Sequence, residues 1–268
     1  MKINQPVTSN ELFLDPQRPI VTKTDLKGAI TYANRAFIEI SGFEEHELLG
    51  VNHNVVRHSD MPPEAFADLW QTVKAGKPCR GLVKNRANNG DFYWVEAYVT
   101  PITLRGEVQG YVSVRNAPSR ADVAAAEALY QRVRNKQATL GSTLKAYKSR
   151  KDSGVIGFGL TGLFVAMLFA GGAVPGLSEG LRLGLALGGV IGLSLTSFWW
   201  RRSEALGQAL IHRGLRALGE GRLEQPLHAE LGGQIGNMTD SLETLRLQLR
   251  ALVADTLAAS SHTHRQAV

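Results

Sequence analysis

Two stretches dominate the pattern of apolar and polar positions. Val155–Val174 and Leu183–Trp200 contain no charged residue, and each approaches the roughly 20 residues that a helix needs to cross a bilayer's hydrocarbon. A soluble helix rarely stays uncharged on every face for that long. Between them Pro175, Gly176, Ser178 and Gly180 supply turn chemistry, so the pair is predicted to be a transmembrane helical hairpin over 153–202. Lys145, Lys148, Arg150 and Lys151 precede the first span, Arg201 and Arg202 follow the second, and only Glu179 and Arg182 lie near the turn. Cations accumulate on the cytoplasmic side of membrane helices, so a two-pass topology with both termini cytoplasmic is expected. Gly180, Gly184, Gly188, Gly192 and Thr196 recur every four residues, as do Gly162, Ala166 and Ala170. Such grooves of small side chains let backbones approach closely in lipid, and join either the two spans or two copies of the chain.

Ahead of the hairpin the periods change. Residues 1–18 lack periodicity and read as an N-terminal arm. Ile20–Thr24 and Ala29–Ala33 are β-prone runs joined by Asp25-Leu26-Lys27-Gly28, a hairpin signal. Asn34 is placed to cap a helix over Arg35–Ser41, Gly42 breaks it, and Glu44–Leu49 gives a short helical turn. Pro63 opens a longer helix in which Phe66, Leu69, Trp70 and Val73 recur at helical spacing before Gly76. Three strands follow, at about Arg80–Asn85, Phe92–Ile102 and Gln109–Asn116, with turns at Asn89-Gly90 and Arg105-Gly106. This order predicts an α+β domain over 19–118, a five-stranded antiparallel sheet with helices on one face and a cavity beneath them. Residues 119–152 form a polar, helix-compatible linker. Beyond the hairpin, Ile235, Met238, Leu242, Leu245, Leu249, Leu252 and Thr256 step by three and four, the period of a coiled-coil seam that needs a partner helix. A helical unit over 203–257 and a tail over 258–268 complete the division.

The chain of 268 residues carries a formal net charge of +6. Its surplus lies in a run without acid between Glu127 and Asp152, beside the predicted span. Anionic headgroups, not nucleic acid, are the partner such a run fits. The single cysteine, Cys79, permits no internal disulfide and fits a reducing compartment, and the polar first ten residues do not form a cleavable signal. No phosphate loop, nucleophile elbow or zinc-spaced histidine pair occurs, so the chain is expected to be no enzyme and to hold no metal.

The run Ile30-Thr31-Tyr32-Ala33-Asn34-Arg35-Ala36-Phe37, with Ser41-Gly42-Phe43 and Lys84–Trp94, resembles a PAS domain. Asn52-His53-Asn54-Val55-Val56-Arg57-His58-Ser59-Asp60-Met61-Pro62, followed by Ala65–Trp70, narrows the resemblance to the aerotaxis receptor family. Helix, connector and helix after the hairpin, including Gly219-Glu220-Gly221 and Ile235-Gly236, resemble HAMP. Two positions depart from the family pattern: Ser59 stands where proline is usual, and Gly233-Gln234 replace an acidic pair. The resemblance implies a bacterial inner-membrane receptor binding FAD, and carries its functional residues onto Asn34, His53, Arg57, His58, Asp60, Trp70 and Asn85. If FAD binds, Asn85 suits the donor and acceptor edge of the isoalloxazine ring, Trp70 a ring wall, and Arg57 and His58 the pyrophosphate, with Asp60 orienting either. Trp94 and Tyr98 read as core or sheet face. Cys79 lies outside the segment bearing Arg57, so a flavin–cysteine adduct is not expected; haem through a histidine is the rival ligand. Receptors of this family continue from HAMP into a kinase-engaging hairpin, whereas Ala258–Val268 is polar and seamless. The chain is therefore expected to be either a fragment of a receptor or a partner of a full-length chemoreceptor or other signalling protein, and the seam and glycine grooves, which both require neighbours, predict a homodimer. A ligand-free PAS scaffold at the membrane is the alternative function.

Overall fold

The computed structural model describes residues 4–149, 153–224, 226–227 and 231–266. They divide into two units, Met1–Lys148 with Thr244–Val268, and Ser149–Glu243; Arg150, Lys151 and Asp152 lie outside the described residues.

In the first unit, β1 (Ile20–Thr24) and β2 (Ile30–Ala33) form the expected hairpin. Asp25 closes its turn, its Oδ1 accepting from the backbone N–H of Lys27 and of Ala29, each at 2.8 Å. Asn34 then caps α1 (Arg35–Ser41), which ends at Gly42 in the left-handed conformation. The short α2 (Glu45–Leu48) is held by a capping box between Glu44 and Glu47. A 3-10 turn at His53–Val56, capped by Asn52, leads to α3 (Pro63–Lys74). The strands β3 (Cys79–Arg86), β4 (Phe92–Leu104) and β5 (Glu107–Asn116) complete a sheet of order β2-β1-β5-β4-β3, antiparallel throughout. Phe37, Leu48, Val73, Tyr93 and Val95 are buried between the helices and the sheet's inner face. The predicted α+β arrangement, a five-stranded antiparallel sheet with helices packed on its inner face, is thus found.

The opposite face is also covered. The linker contains α4 (Arg120–Arg134), capped by Ser119, and α5 (Thr143–Ser149). Val123 and Ala126 of α4 bury Trp94 on the outer face, Tyr130 stacks on it with ring centroids 6.3 Å apart, and the Tyr130 hydroxyl donates to the Leu82 carbonyl at 2.6 Å. Asp68 of α3 receives the Thr143 N–H at 2.9 Å and hydroxyl at 2.6 Å, so the linker returns to the helical face. Elsewhere on the outer face, Val21 and Val112 are buried with Ala251. The N-terminal arm is built in: its backbone bonds Gly90 and Phe92 through Thr8, Asn10 and Leu12.

In the second unit, α6 (Ser153–Ala173) and α7 (Glu179–Gly219) pack as a hairpin. Apolar windows at Val155–Ala173 and within Glu179–Gly219 have mean hydropathies of 2.0 and 1.5. Only part of the small-residue pattern joins the two helices. A Cβ on Gly189 would lie 2.6 Å from Leu168, and one on Gly192 would overlap the Phe164 ring, whereas nothing lies within 4 Å of such an atom at Gly162, Gly180 or Gly184. Helix α7 runs unbroken from the apolar segment into the polar one, because no proline stands anywhere along Glu179–Gly219. Its Gly207 and Gly214 receive Ile235 and Leu227. The last helix, α8 (Gly233–Gln266), starts in this unit and extends through the expected seamless tail. Of the predicted seam, Met238, Leu245 and Leu252 are exposed at heptad spacing, while α8 buries Thr239, Glu243, Leu247 and Ala251 instead.

Candidate ligand-binding cavity

Beneath α3 and the 3-10 turn, the inner face of the sheet encloses a cavity of about 650 Å³. Alternation along each strand decides which side chains reach it. Thr22 of β1, Val83 and Asn85 of β3, Ala97 and Val99 of β4, and Tyr111, Ser113 and Arg115 of β5 line the floor. His53, Arg57, Phe66, Leu69 and Trp70 form the opposite wall. Tyr111 meets Trp70 edge to face, centroids 5.4 Å apart. Gly28 takes a φ of +84°, and a Cβ there would come within 3.2 Å of both the Trp70 ring and Asn52. The β1–β2 turn therefore closes tightly over the tryptophan only with glycine at this position.

Four of the seven residues expected at the site, His53, Arg57, Trp70 and Asn85, line this cavity. Arg57 and Asn85 face each other through a backbone bridge. The Arg57 guanidinium donates to the Met61 carbonyl at 2.7 Å and lies 4.4 Å over the Phe66 ring. Burial pushes its pKa down, partly opposed by Glu64. Arg57 Nε, Asn85 Nδ2 and Ser113 Oγ are buried without a hydrogen-bond partner. A buried polar atom left so costs about 1–3 kcal/mol, which makes these three the places where a ligand gains most.

The other three are placed differently. Asn34 is consumed by its own backbone: Oδ1 accepts from the N–H of Val21 at 3.0 Å and of Phe37 at 3.1 Å, and Nδ2 donates to the Pro19 carbonyl at 3.0 Å. His58 and Asp60 lie outside the cavity wall. His58 Nδ1 accepts the Asp60 N–H at 3.1 Å, and the Asp60 carboxylate takes a hydrogen bond from Lys84 Nζ at 2.8 Å. Burial and the neighbouring Lys84 push His58 down to about 4. Burial works against the Asp60 carboxylate, yet its bond to Lys84 holds its pKa below the ordinary value. The chain alternates across this wall at two points: Arg57 faces in and His58 out, Asn85 in and Lys84 out.

Sequence reasoning placed the strand β5 but missed its residues in the site. Arg115, 5% exposed, donates to Thr22 Oγ1 at 3.1 Å and to His53 Nε2 at 2.7 Å, and burial pushes it down to about 10. The same burial, reinforced by Arg115, drives His53 well below its usual range. Arginine only donates, so the neutral imidazole accepts at Nε2. The available signal was Tyr111, Ser113 and Arg115 alternating with Val112 and Val114, a pattern that ordinarily puts the valines toward the main core. Here the valines face outward, and the polar face lines a cavity.

The ordered sheet and its helices match a known class. Residues 30–115 match the PAS fold. More narrowly, the chain is similar to the aerotaxis receptor of Escherichia coli (strain K12), 45% identical over 125 residues that make up 47% of this chain and 25% of that one. The nitrogen fixation regulatory protein of Klebsiella pneumoniae is 31% identical over 125 residues, 46% of this chain and 24% of that one. The chain thus aligns with about a quarter of the length of these relatives. The blue-light photoreceptor Aureochrome1 LOV in its dark structure aligns at 21% identity and TM-score 0.37, over 46% of this chain and 87% of that one. The resemblance read from the Asn52–Pro62 segment is borne out over the PAS portion.

Proposed function

We propose that this chain is a membrane-anchored PAS sensor that binds FAD and reports redox, oxygen or energy state in an aerotaxis-type pathway. The carrying observation is that three residues lining one cavity of about 650 Å³, Arg57, Asn85 and Ser113, each hold a buried, unpaired polar atom, Nε, Nδ2 and Oγ. That volume lies within the range of small-molecule sites, and the donor set suits a heteroaromatic ring rich in acceptors.

The residues present fit a flavin. Trp70, braced by Tyr111, offers a flat wall, and Asn85 offers a donor at the cavity edge. Arg115 and Arg57 supply positive charge from opposite sides, with no carboxylate among the cavity-lining residues to neutralise either. A bound flavin would supply reversible electron uptake. The chain's part is to hold the ring, to exclude water and to favour added negative charge through the two guanidinium groups. His53 is neutral by burial and its arginine neighbour.

Output requires a contact whose energy differs between two states, and one or two hydrogen bonds supply about 1–3 kcal/mol. We assign the outer sheet face, where Val21 and Val112 are buried with Ala251 of α8, as the surface that passes this difference to a HAMP-like unit over 203–257. The two apolar helices anchor the chain in an inner membrane with both termini cytoplasmic. The exposed Met238, Leu245 and Leu252 suit a homodimer, and a full-length chemoreceptor or other signalling protein would carry the output. The test is the absorption spectrum of the purified chain in mild detergent, followed by anaerobic reduction and reoxidation in air. Flavin bands with extractable FAD, lost in Asn85→Ala, are expected. A protein that stays colourless after incubation with FAD refutes the reading in favour of a ligand-free scaffold.

A further inference from the structure

Both Arg57 and Asn85, the bridge-paired residues carrying two of the cavity's unpaired polar atoms, are backed from outside by the N-terminal arm. Asn4 is buried, and its Nδ2 donates to two carbonyls of the 3-10 segment, Asn54 at 2.8 Å and Arg57 itself at 2.9 Å. One residue beyond Asn85, the Arg86 guanidinium donates to the carbonyls of Pro6 at 2.6 Å and Gln5 at 3.1 Å. Arm residues 4–6 therefore bond to Arg57 and to the neighbour of Asn85, while Arg57 and Asn85 bridge each other. None of arm residues 4–6 lines the cavity, yet they bond to the two backbone segments that carry the buried, unpaired Arg57 Nε and Asn85 Nδ2.

We propose that arm residues 4–6 are the back-stop of the ligand site, with Asn4 as a positioning residue that sets the Arg57 guanidinium and keeps it in register with Asn85. The inference rests on the flavin reading and extends it to a segment that does not line the cavity. An amide is suited to this task because one NH₂ group has two donors, enough to join the Asn54 carbonyl, which also accepts the Arg57 N–H at 3.1 Å, to the Arg57 carbonyl. An aspartate of the same shape has none when ionised.

The test uses the full chain in mild detergent, titrated with FAD, in Asn4→Asp and in Thr8→Val. The latter cuts the Thr8–Asp91 hydrogen bond of 2.6 Å in the same arm without touching either segment named above. Asn4→Asp is expected to weaken FAD binding about tenfold, the effect of losing one to two hydrogen bonds, and to blur the vibronic structure of the flavin's long-wavelength band, while Thr8→Val stays within twofold of wild type. If Asn4→Asp does not fold, Arg86→Gln, which severs the arm at Gln5 and Pro6, carries the same expectation. Wild-type affinity and spectrum in the folded variant, or equal weakening by Asn4→Asp and Thr8→Val, overturns the assignment of Asn4. Absence of FAD binding by wild type is a separate result, which overturns the flavin reading itself.

Discussion

Replacing Asn34 with alanine separates a structural role from a ligand role at a position that sequence offered as a helix cap and the family resemblance offered as a ligand residue. The side chain satisfies the Val21 and Phe37 N–H groups and the Pro19 carbonyl and is 3% exposed, so alanine strands three backbone groups where water has little access. At about 1–3 kcal/mol for a buried group left unpaired, and about 1 kcal/mol for a lost helix cap, the loss comes to about 4 kcal/mol. That is a large share of the roughly 5–15 kcal/mol that holds a domain together. For a domain near 100 residues it corresponds to a fall in Tm of about 15–30 °C. Asn34→Asp keeps the oxygen that accepts both N–H groups, loses the donation to Pro19 and buries a charge, and falls between alanine and wild type. Native-state hydrogen exchange over residues 20–41 of the full chain measures the loss directly. A loss under about 1 kcal/mol, or release of ligand from a variant whose exchange protection is unchanged, would refute this reasoning.

Gly192→Ala drives a methyl into the Phe164 ring, whereas Gly184→Ala meets nothing within 4 Å; the first is expected to cost about 1–3 kcal/mol and the second almost nothing, read as thermal stability of the hairpin in detergent. His58, lowered from 6.5 to about 4 by burial and Lys84, binds its proton more readily when the chain is unfolded. Its contribution is therefore held above pH 6.5 and lost as pH falls toward 4. His58→Asn, which keeps an acceptor for the Asp60 N–H, should flatten stability over that window, and an unchanged slope would contradict the cause assigned. Burial, with Asp68, raises the Cys79 thiol to about 11, so iodoacetamide at mildly alkaline pH should label it only after denaturation. Rapid labelling of the native chain would show that α3 and the linker open far more readily than their packing implies.

Turn chemistry made the meander legible, because Asn89-Gly90 and Arg105-Gly106 specify hairpins locally; both glycines, and Arg105, have positive φ. The 3-10 turn at His53–Val56 was not legible, since it is one turn long and held by the Asn52 cap rather than by a period. The linker helix was readable as a helix but not as a cover for the sheet. Val123, Ala126, Tyr130 and Val133 recur at helical spacing and are buried or partly buried, a stripe that announces one covered face but not what covers it. Within the site, Arg57 and Asn85 could be chosen from their chemistry, but His58 could not be assigned a side of the wall. One residue decides between inside and outside there, and that alternation belongs to the backbone of an irregular segment, not to any repeating pattern.

Helix α7 has a geometric property that its separate contacts conceal. Its 41 residues, at about 1.5 Å each, make a rod of about 60 Å, twice the hydrocarbon thickness of a bilayer. Gly189, which accepts Leu168 of α6, and Gly207, which accepts Ile235 of α8, are separated by about five full turns of 3.6 residues. Thr196 and Gly214, both buried, fall within about 20° of the same line. The two grips are thus in angular phase on a single shaft with no joint between them. Turning the shaft enough to release Ile235 from Gly207 also swings Gly189 away from Leu168, so torque applied at either grip is felt at the other without any bending of the helix.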